Sequence, residues 1–154
     1  MPAAFDYDRR FEFAVPPETF WRTVSRTECY PEWWTWLREF ESDGLHEGSH
    51  SECVIRAPLP YALRVAIDVE RTVHPERVET RVSGDLDGPA RLEVSPTASG
   101  CAARLVWSLQ LREPWLARLA RFTRPVLVWA HDRVIDSGVR RFEQIVLTEA
   151  PPPG

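Results

Sequence analysis

"RPVLVWAHDRVIDSGVRRFEQ", residues Arg124–Gln144, carries the pattern that decides the fold. At 100° per residue, one set of side chains falls within roughly 60° of His131 on a single helix face. The members are Leu127, Val134, Ile135, Gly138, Phe142 and Ile145. The stretch therefore predicts one long amphipathic helix, from Pro114 to about Leu147, which Pro125 is expected to kink or restart. Its apolar stripe must pack against another element.

The preceding sequence predicts that this element is an antiparallel sheet. From Ser49 to Leu111, apolar and polar residues alternate in runs separated by turn signals at His74-Pro75-Glu76, Gly84–Gly88 and Thr97–Gly100. Alternation assigns one face of each run to the interior. The inward set is Tyr61, Leu63, Val65, Ile67, Val69, Val78, Thr80, Val82, Ala90, Leu92, Val94, Ala103, Leu105, Trp107, Leu109 and Leu111.

The N-terminal part predicts shorter elements. Arg9–Val15 alternates as a strand, and Pro16-Pro17-Glu18 suits the first turn of a helix. A second short helix is expected to follow Pro31 and to include Trp33, Trp34 and Trp36. Arg38–Ser42 then predicts an edge strand. On a two-turn helix, Trp33 and Trp36 would point about 60° apart, whereas Trp34 would diverge from Trp33 by about 100°.

Composition limits the class of protein. The 154 residues are 44% hydrophobic and 27% charged, as in one ordinary globular domain, which we place at residues 1–147 with a disordered tail at 148–154. A net charge of −4 argues against nucleic acid as a partner. The three cysteines show no paired spacing, and neither a signal peptide nor a membrane span is evident. We therefore expect a cytoplasmic protein without stable membrane insertion.

The expected α+β architecture is a curved sheet of about seven strands around the long C-terminal helix, with two short helices after the first strand. This order resembles the START-like, or SRPBCC, superfamily with its helix-grip fold, and more closely its polyketide cyclase/dehydrase or lipid transport subfamily. The matching stretches are "YPEWWTWLREFE", "PLPYALRVAIDV", "GDLDGPARLEV", "GCAARLVWSLQL" and the helical stretch quoted first. Because a helix covers only part of a curved sheet, a cavity is expected between them. The resemblance implies that the short helix after Pro31 lies beside the opening of this cavity. Trp33 and Trp36 are then expected to anchor that helix against the sheet edge, and Trp34 to reach the mouth of the pocket.

Two histidine patterns are candidate sites. His46-Glu47-Gly48-Ser49-His50 matches the H-E-x-x-H spacing of zinc proteases, but the flanking glycines disfavour the helix that this chemistry needs. We predict a solvated turn there, with no metal and no cofactor. His131 lies mid-stripe and, with Tyr61, is a candidate acid or base for catalysis; a hydrogen-bonded core histidine is the alternative.

The predicted cavity lining is mostly apolar and suits a lipid, a polyketide or an aromatic metabolite. The candidate ligand-binding residues are Trp34, Tyr61, Leu63, Val65, Thr80, Leu105, Trp107, Leu127, His131 and Ile135. Three functions stay open at this point: a carrier or sensor of a hydrophobic molecule, a cyclase or dehydratase, and an interaction module without ligand. Trp129 points almost opposite His131 and could mark a homodimer contact.

Overall fold

The computed structural model describes residues 4–56, 62–112 and 114–149. The helices are α1 (Pro17–Val24), α2 (Tyr30–Trp33) and α3 (Pro114–Glu149), and a 3-10 turn at Thr27–Cys29 precedes α2. The strands are β1 (Ala4–Phe13), β2 (Leu37–Ser42), β3 (His50–Ile55), β4 (Leu63–Val73), β5 (Arg77–Gly84), β6 (Leu86–Thr97) and β7 (Gly100–Leu111). The predicted element order and the α+β helix-grip architecture are confirmed.

All seven strands form one antiparallel sheet in the order β1-β7-β6-β5-β4-β3-β2. The first strand therefore pairs with the last strand, and β2 is an edge as predicted. Irregular pairing in β2 between Arg38 and Glu41, and in β4 between Val69 and Arg71, adds local twist. Such irregularities help the sheet to curve around a helix.

Tight turns join the central strands. Gly84 has a φ of +104°, and a Cβ atom there would lie 2.5 Å from the carbonyl oxygen of Arg64. Only glycine fits this conformation and this close approach. The turn between β5 and β6 is consequently shorter than the predicted Gly84–Gly88 segment, because β6 already begins at Leu86.

The buried row of the long helix overlaps the predicted stripe at Val134, Gly138 and Phe142, whereas His131, Ile135 and Ile145 are only half-buried. Ala130, Val134, Gly138, Phe142 and Val146 recur every fourth residue and are all buried. The helix continues through Pro125 instead of restarting, and it extends to Glu149, two residues into the predicted tail. Among the described helices, none is both long and apolar enough to cross a membrane.

Two sequence-based boundaries were wrong. β1 covers Ala4–Phe13 rather than Arg9–Val15, because the polar residues at 6, 8 and 10 take the outer face of a paired strand while Tyr7 is buried. The second helix ends at Trp33, where the backbone of Trp34 becomes extended. Helical spacing therefore does not apply to the three tryptophans together.

The described core has separate parts. The first cluster takes residues from β2 to β7 and contains Leu37, Cys53, Val65, Val82 and Leu86, among others. A second cluster joins β1, α1, α2 and α3 through residues that include Phe13, Phe20, Trp33 and Phe142. Trp34 borders both clusters. The apolar space that remains between the helix and the sheet lies at this border.

Candidate functional site

An apolar cavity of about 210 Å³ lies between α3 and the inner face of β1, β7 and β6. The helix contributes Val134, Ile135, Gly138, Val139 and Phe142, and the strands contribute Phe11, Phe13, Leu92, Ala103, Leu105 and Trp107. Phe20, Val24, Trp34 and Trp36 come from α1 and from the segment around α2. The described lining contains no carboxylate, ammonium or guanidinium group, so the cavity favours apolar contents.

The tryptophans after α2 close one side of the cavity. The Nε1–H of Trp34 donates a 3.0 Å hydrogen bond to the carbonyl oxygen of Gly138 on α3. The rings of Trp34 and Trp36 stack with centroids 5.8 Å apart. A Cβ atom at Gly138 would lie 3.4 Å from Nε1 of Trp34, so glycine lets the indole approach the helix backbone.

Three phenylalanines form another part of the lining. Phe13 of β1, Phe20 of α1 and Phe142 of α3 are each buried, and their ring centroids lie 5.1 to 5.9 Å apart. Trp33 packs edge-on against Phe142 at 5.9 Å. Tilted and edge-to-face contacts are the arrangements that aromatic rings prefer, so the three phenylalanines and Trp33 stabilise one another in the core.

A polar cluster borders the cavity at Trp107. The indole Nε1–H of Trp107 donates to Nε2 of His131 at 3.1 Å, and Nδ1 of His131 lies 3.1 Å from the Asp132 carboxylate. The first bond requires a lone pair on Nε2, so the proton of neutral His131 belongs on Nδ1, facing Asp132. The geometry fixes both the tautomer and the orientation of the ring.

Tyr7 stacks on the outer edge of this cluster. Its ring lies 4.5 Å from that of Trp107 and 5.1 Å from that of His131. Its hydroxyl is buried and, among the described residues, lacks a well-formed hydrogen bond. Burial raises the pKa of Tyr7, and the nearby Arg9 guanidinium opposes that rise. Arg9 itself pairs with Asp136 of α3 at 3.2 Å.

The structure brings together part of the predicted ligand site. Trp34, Leu105, Trp107 and Ile135 line the cavity. His131 lies next to it, behind Trp107, and is only 21% exposed. A role for any of these residues in binding stays a prediction.

Other predicted lining residues lie elsewhere. Val65 is buried in the first core cluster, and Leu63 packs against the same cluster. The hydroxyl of Thr80 donates to the carbonyl oxygen of Ala90 on the neighbouring strand at 2.8 Å. Trp34, Trp36 and Trp107 pack against this same cluster and also line the cavity. Leu63, Val65 and Thr80 are not among the residues that line the cavity. Tyr61 lies outside the described residues, as does the side chain of Leu127.

Much of the lining could not be recognised from the sequence. Trp36 was expected to anchor with Trp33, yet it lines the cavity beside Trp34, because the helix ends before both. Of the other lining residues, Leu92, Ala103, Val134, Gly138 and Phe142 were predicted to face inward but were not assigned to the ligand site, and Val139 was not singled out. The sequence signal that indicates space beside the helix is Gly138 in the row Val134, Gly138 and Phe142, because a glycine there leaves room between two larger apolar side chains.

The His46–His50 segment forms a turn followed by the start of β3. The His46 ring contacts the backbone carbonyls of Asp43 and Glu47. His50 contacts the carboxylates of Asp68 and Glu52 across and along the strand. Glu47 accepts a hydrogen bond from the backbone N–H of Thr72. Each of these three side chains thus has its own local partner, which is the arrangement of a structural turn.

Comparisons with known proteins agree on one fold. TTHA0849 from Thermus thermophilus is 17% identical, with a TM-score of 0.72 over 97% of this chain and 100% of that chain. Norcoclaurine synthase from Thalictrum flavum, in complex with dopamine and hydroxybenzaldehyde, is 13% identical, with a TM-score of 0.66 over 97% and 90% of the two chains. Ara h 8.0201 is 10% identical, with a TM-score of 0.62 over 96% and 100%. At these identities the similarity establishes the fold alone.

No curated protein sequence matches the chain. The model of one protein family, described as polyketide cyclase / dehydrase and lipid transport, matches residues 4–146. That match covers nearly every element described above, from β1 to the last turns of α3. It also agrees with the resemblance identified from the sequence. The chain belongs to the polyketide cyclase / dehydrase and lipid transport family.

Proposed function

We propose that the protein binds a compact, mostly apolar small molecule in the cavity between the sheet and α3. The observation that carries the proposal is the cavity itself, about 210 Å³ in volume and lined by aromatic and aliphatic side chains. The pocket is partly open to solvent, and concave apolar pockets of this kind are the usual ligand sites of proteins. Family membership and the helix-grip fold support a ligand-binding role.

The volume restricts the class of ligand. Drug-sized pockets usually measure about 300–1,000 Å³, whereas an engineered apolar cavity of about 150 Å³ binds benzene. A cavity of about 210 Å³ therefore suits one substituted aromatic ring or a short aliphatic chain. Among lipids, polyketides and aromatic metabolites, this favours a single-ring aromatic molecule. The two ligands of the similar norcoclaurine synthase, dopamine and hydroxybenzaldehyde, are also single-ring molecules.

Binding would depend on apolar burial more than on hydrogen bonds. The indole N–H of Trp34 is already bonded to Gly138, and that of Trp107 is bonded to His131. Burial of apolar surface contributes about 25 cal/mol per Å². We therefore expect affinity to follow the fit and apolar area of the ligand, while a charged substituent inside the cavity would abolish binding.

Cyclisation or dehydration by His131 and Tyr61 remains an alternative function that rests on the sequence alone. In the structure, Nε2 of His131 accepts the Trp107 N–H, so the ring would have to release Trp107 before it could take a proton from a substrate. This geometry favours a positioning role for His131 at the cavity wall. It is the reason why binding, rather than catalysis, is proposed here.

A titration with toluene tests the proposal. Toluene should bind one site per chain, measured by calorimetry and by a change in tryptophan fluorescence. Val139→Phe places a phenyl ring inside the cavity and should weaken toluene binding at least tenfold, which corresponds to about 1.4 kcal/mol.

Val106→Phe is the matched control. It makes the same valine-to-phenylalanine change on β7. Leu105 and Trp107, the neighbours of Val106 in the sequence, both line the cavity, so the side chain of Val106 points to the opposite face of the sheet. This variant should bind toluene like the unmodified protein. Equal binding by the Val139→Phe and Val106→Phe variants, or no binding by the unmodified protein, would remove the proposed function.

A further inference from the structure

Two large apolar side chains, Trp129 and Leu147, are exposed on the outer face of α3, at opposite ends of a stripe parallel to the helix axis. Trp129 is 54% exposed and Leu147 is 48% exposed. Eighteen residues make five turns of an α-helix, so the two side chains point in the same direction about 27 Å apart. Large exposed apolar side chains in such an arrangement are unusual on a helix face that otherwise meets water.

Charged side chains fill the line between them. Arg133, Asp136, Arg140 and Glu143 lie within about 40° of the direction of Trp129. Asp136 uses one carboxylate oxygen for Arg9, and the guanidinium of Arg133 lies 5.5 Å from the centre of the Trp129 ring. Within the described part of the chain, Arg140 and Glu143 form no ion pair. The stripe from Trp129 to Leu147 thus has charges available for a partner.

The order of these side chains is self-complementary. Two antiparallel copies of α3 with a two-fold axis at residue 138 would bring together positions equally far from that residue. Trp129 would then face the partner's Leu147, Arg133 would face the partner's Glu143, and Asp136 would face the partner's Arg140. Every facing pair is either apolar with apolar or opposite in charge.

Neighbouring registers lack this property. With the two-fold axis at residue 136, Asp136 would face the partner's Asp136. With the axis at residue 140, Arg140 would face the partner's Arg140. An axis midway between residues 136 and 137 would set Arg133 against the partner's Arg140. Like charges placed opposite one another disfavour association. The charge pattern therefore selects the register at residue 138.

We propose that a second copy of the chain docks on this stripe, forming a two-fold symmetric, antiparallel pair of α3 helices. A two-fold interface uses the same patch on both subunits, which a self-complementary stripe provides. A contact about 27 Å long and one helix wide is at the small end of specific interfaces. The dimer is consequently weak and reversible, and high salt weakens it further.

This interface is independent of the proposed ligand site. Val134, Gly138 and Phe142 line the cavity from the side of α3 opposite the stripe. Dimer formation therefore leaves the cavity lining in place, and toluene binding serves as a separate readout of correct folding.

Sedimentation velocity over a wide range of protein concentration tests the proposal. The unmodified protein should show a concentration-dependent monomer–dimer equilibrium. Arg133→Glu places like charges opposite the partner's Glu143 twice per dimer and should raise the dimer Kd at least about tenfold. The double variant Arg133→Glu with Glu143→Arg exchanges the two charges and should restore most of the lost affinity.

Arg141→Glu is the matched control, because Arg141 lies about 100° around the helix from Arg140 and outside the stripe. It should leave the dimer Kd within about twofold of the unmodified value. The proposal is overturned if the unmodified protein is a monomer at every concentration. It is also overturned if Arg133→Glu dimerises normally, or if the double variant is no better than the single one while both still bind toluene.

Discussion

At the scale of single residues, the contact between Trp34 and Gly138 determines where the cavity is closed. The indole N–H reaches a helix carbonyl at 3.0 Å, and the absence of a side chain at Gly138 allows that approach. Sequence reasoning selected Trp34 as the tryptophan that touches the pocket. It did not identify the hydrogen bond, because the helix was expected to continue past Trp33.

Trp34→Phe should remove this hydrogen bond while keeping an aromatic ring. A typical hydrogen bond contributes about 0.5–1.5 kcal/mol, so the free energy of unfolding should fall by about 1 kcal/mol or slightly more, because some packing is also lost. Urea unfolding in dilute protein measures the change.

Trp129→Phe is the control for that substitution, since Trp129 is exposed. Its unfolding free energy should change by less than about 0.5 kcal/mol. Equal stability of the Trp34→Phe and Trp129→Phe variants would mean that the bond to Gly138 contributes nothing to the fold.

At the scale of elements, the β3–β4 pair carries a titratable link. His50 and Asp68 are directly opposite in the register, and Nδ1 of His50 lies 2.7 Å from the Asp68 carboxylate. The hydrogen bond to Asp68, followed by that to Glu52, raises the pKa of His50 above its usual value of 6.5. The pair therefore stabilises the folded protein most when His50 is protonated.

The coupling between His50 and Asp68 should consequently depend on pH. A group whose pKa is raised by folding contributes its full stabilisation below its unfolded pKa, and loses it as the pH rises through the folded pKa. A double-mutant cycle with His50→Gln and Asp68→Asn should give a larger coupling free energy at about pH 5.5 than at about pH 8.5. Equal coupling at both values would contradict the assignment.

The elements also show what a sequence can predict. Long alternating strands such as β4, β6 and β7 were predicted because their inner faces are continuously apolar. The predicted limits of β1 and α2 were wrong. The polar residues Asp6, Asp8 and Arg10 made the start of β1 look like a loop, although this segment pairs with β7. No local sequence signal identifies Trp33 as the last residue of α2. Tertiary contacts decide both boundaries.

At the scale of the whole molecule, the two faces of α3 have separate proposed roles. The inner face, with Val134, Gly138 and Phe142, encloses the cavity. The outer face, from Trp129 to Leu147, is proposed as the dimer contact. One helix can serve both purposes because its apolar and charged stripes point in opposite directions.

The fold could be predicted from the sequence, but the part of the inner sheet face that borders the cavity could not. Periodicity showed which side chains face inward, and Leu63 and Val65 do face inward as predicted. It did not show which part of the inner face the helix covers, since that depends on packing between distant segments. As a result, the predicted ligand site included residues that fill the core beside the cavity.

Whether this cavity holds an apolar ring can be decided with a crystal soaked in iodobenzene. The anomalous signal of iodine gives the position of the molecule without reliance on weak density. We expect an iodine site between β7 and α3, in contact with Leu105 or Val139, and its loss in the Val139→Phe variant. An interior without iodine, with side chains filling the space between Leu105, Val139 and Phe142, would show that the cavity does not bind such a ring.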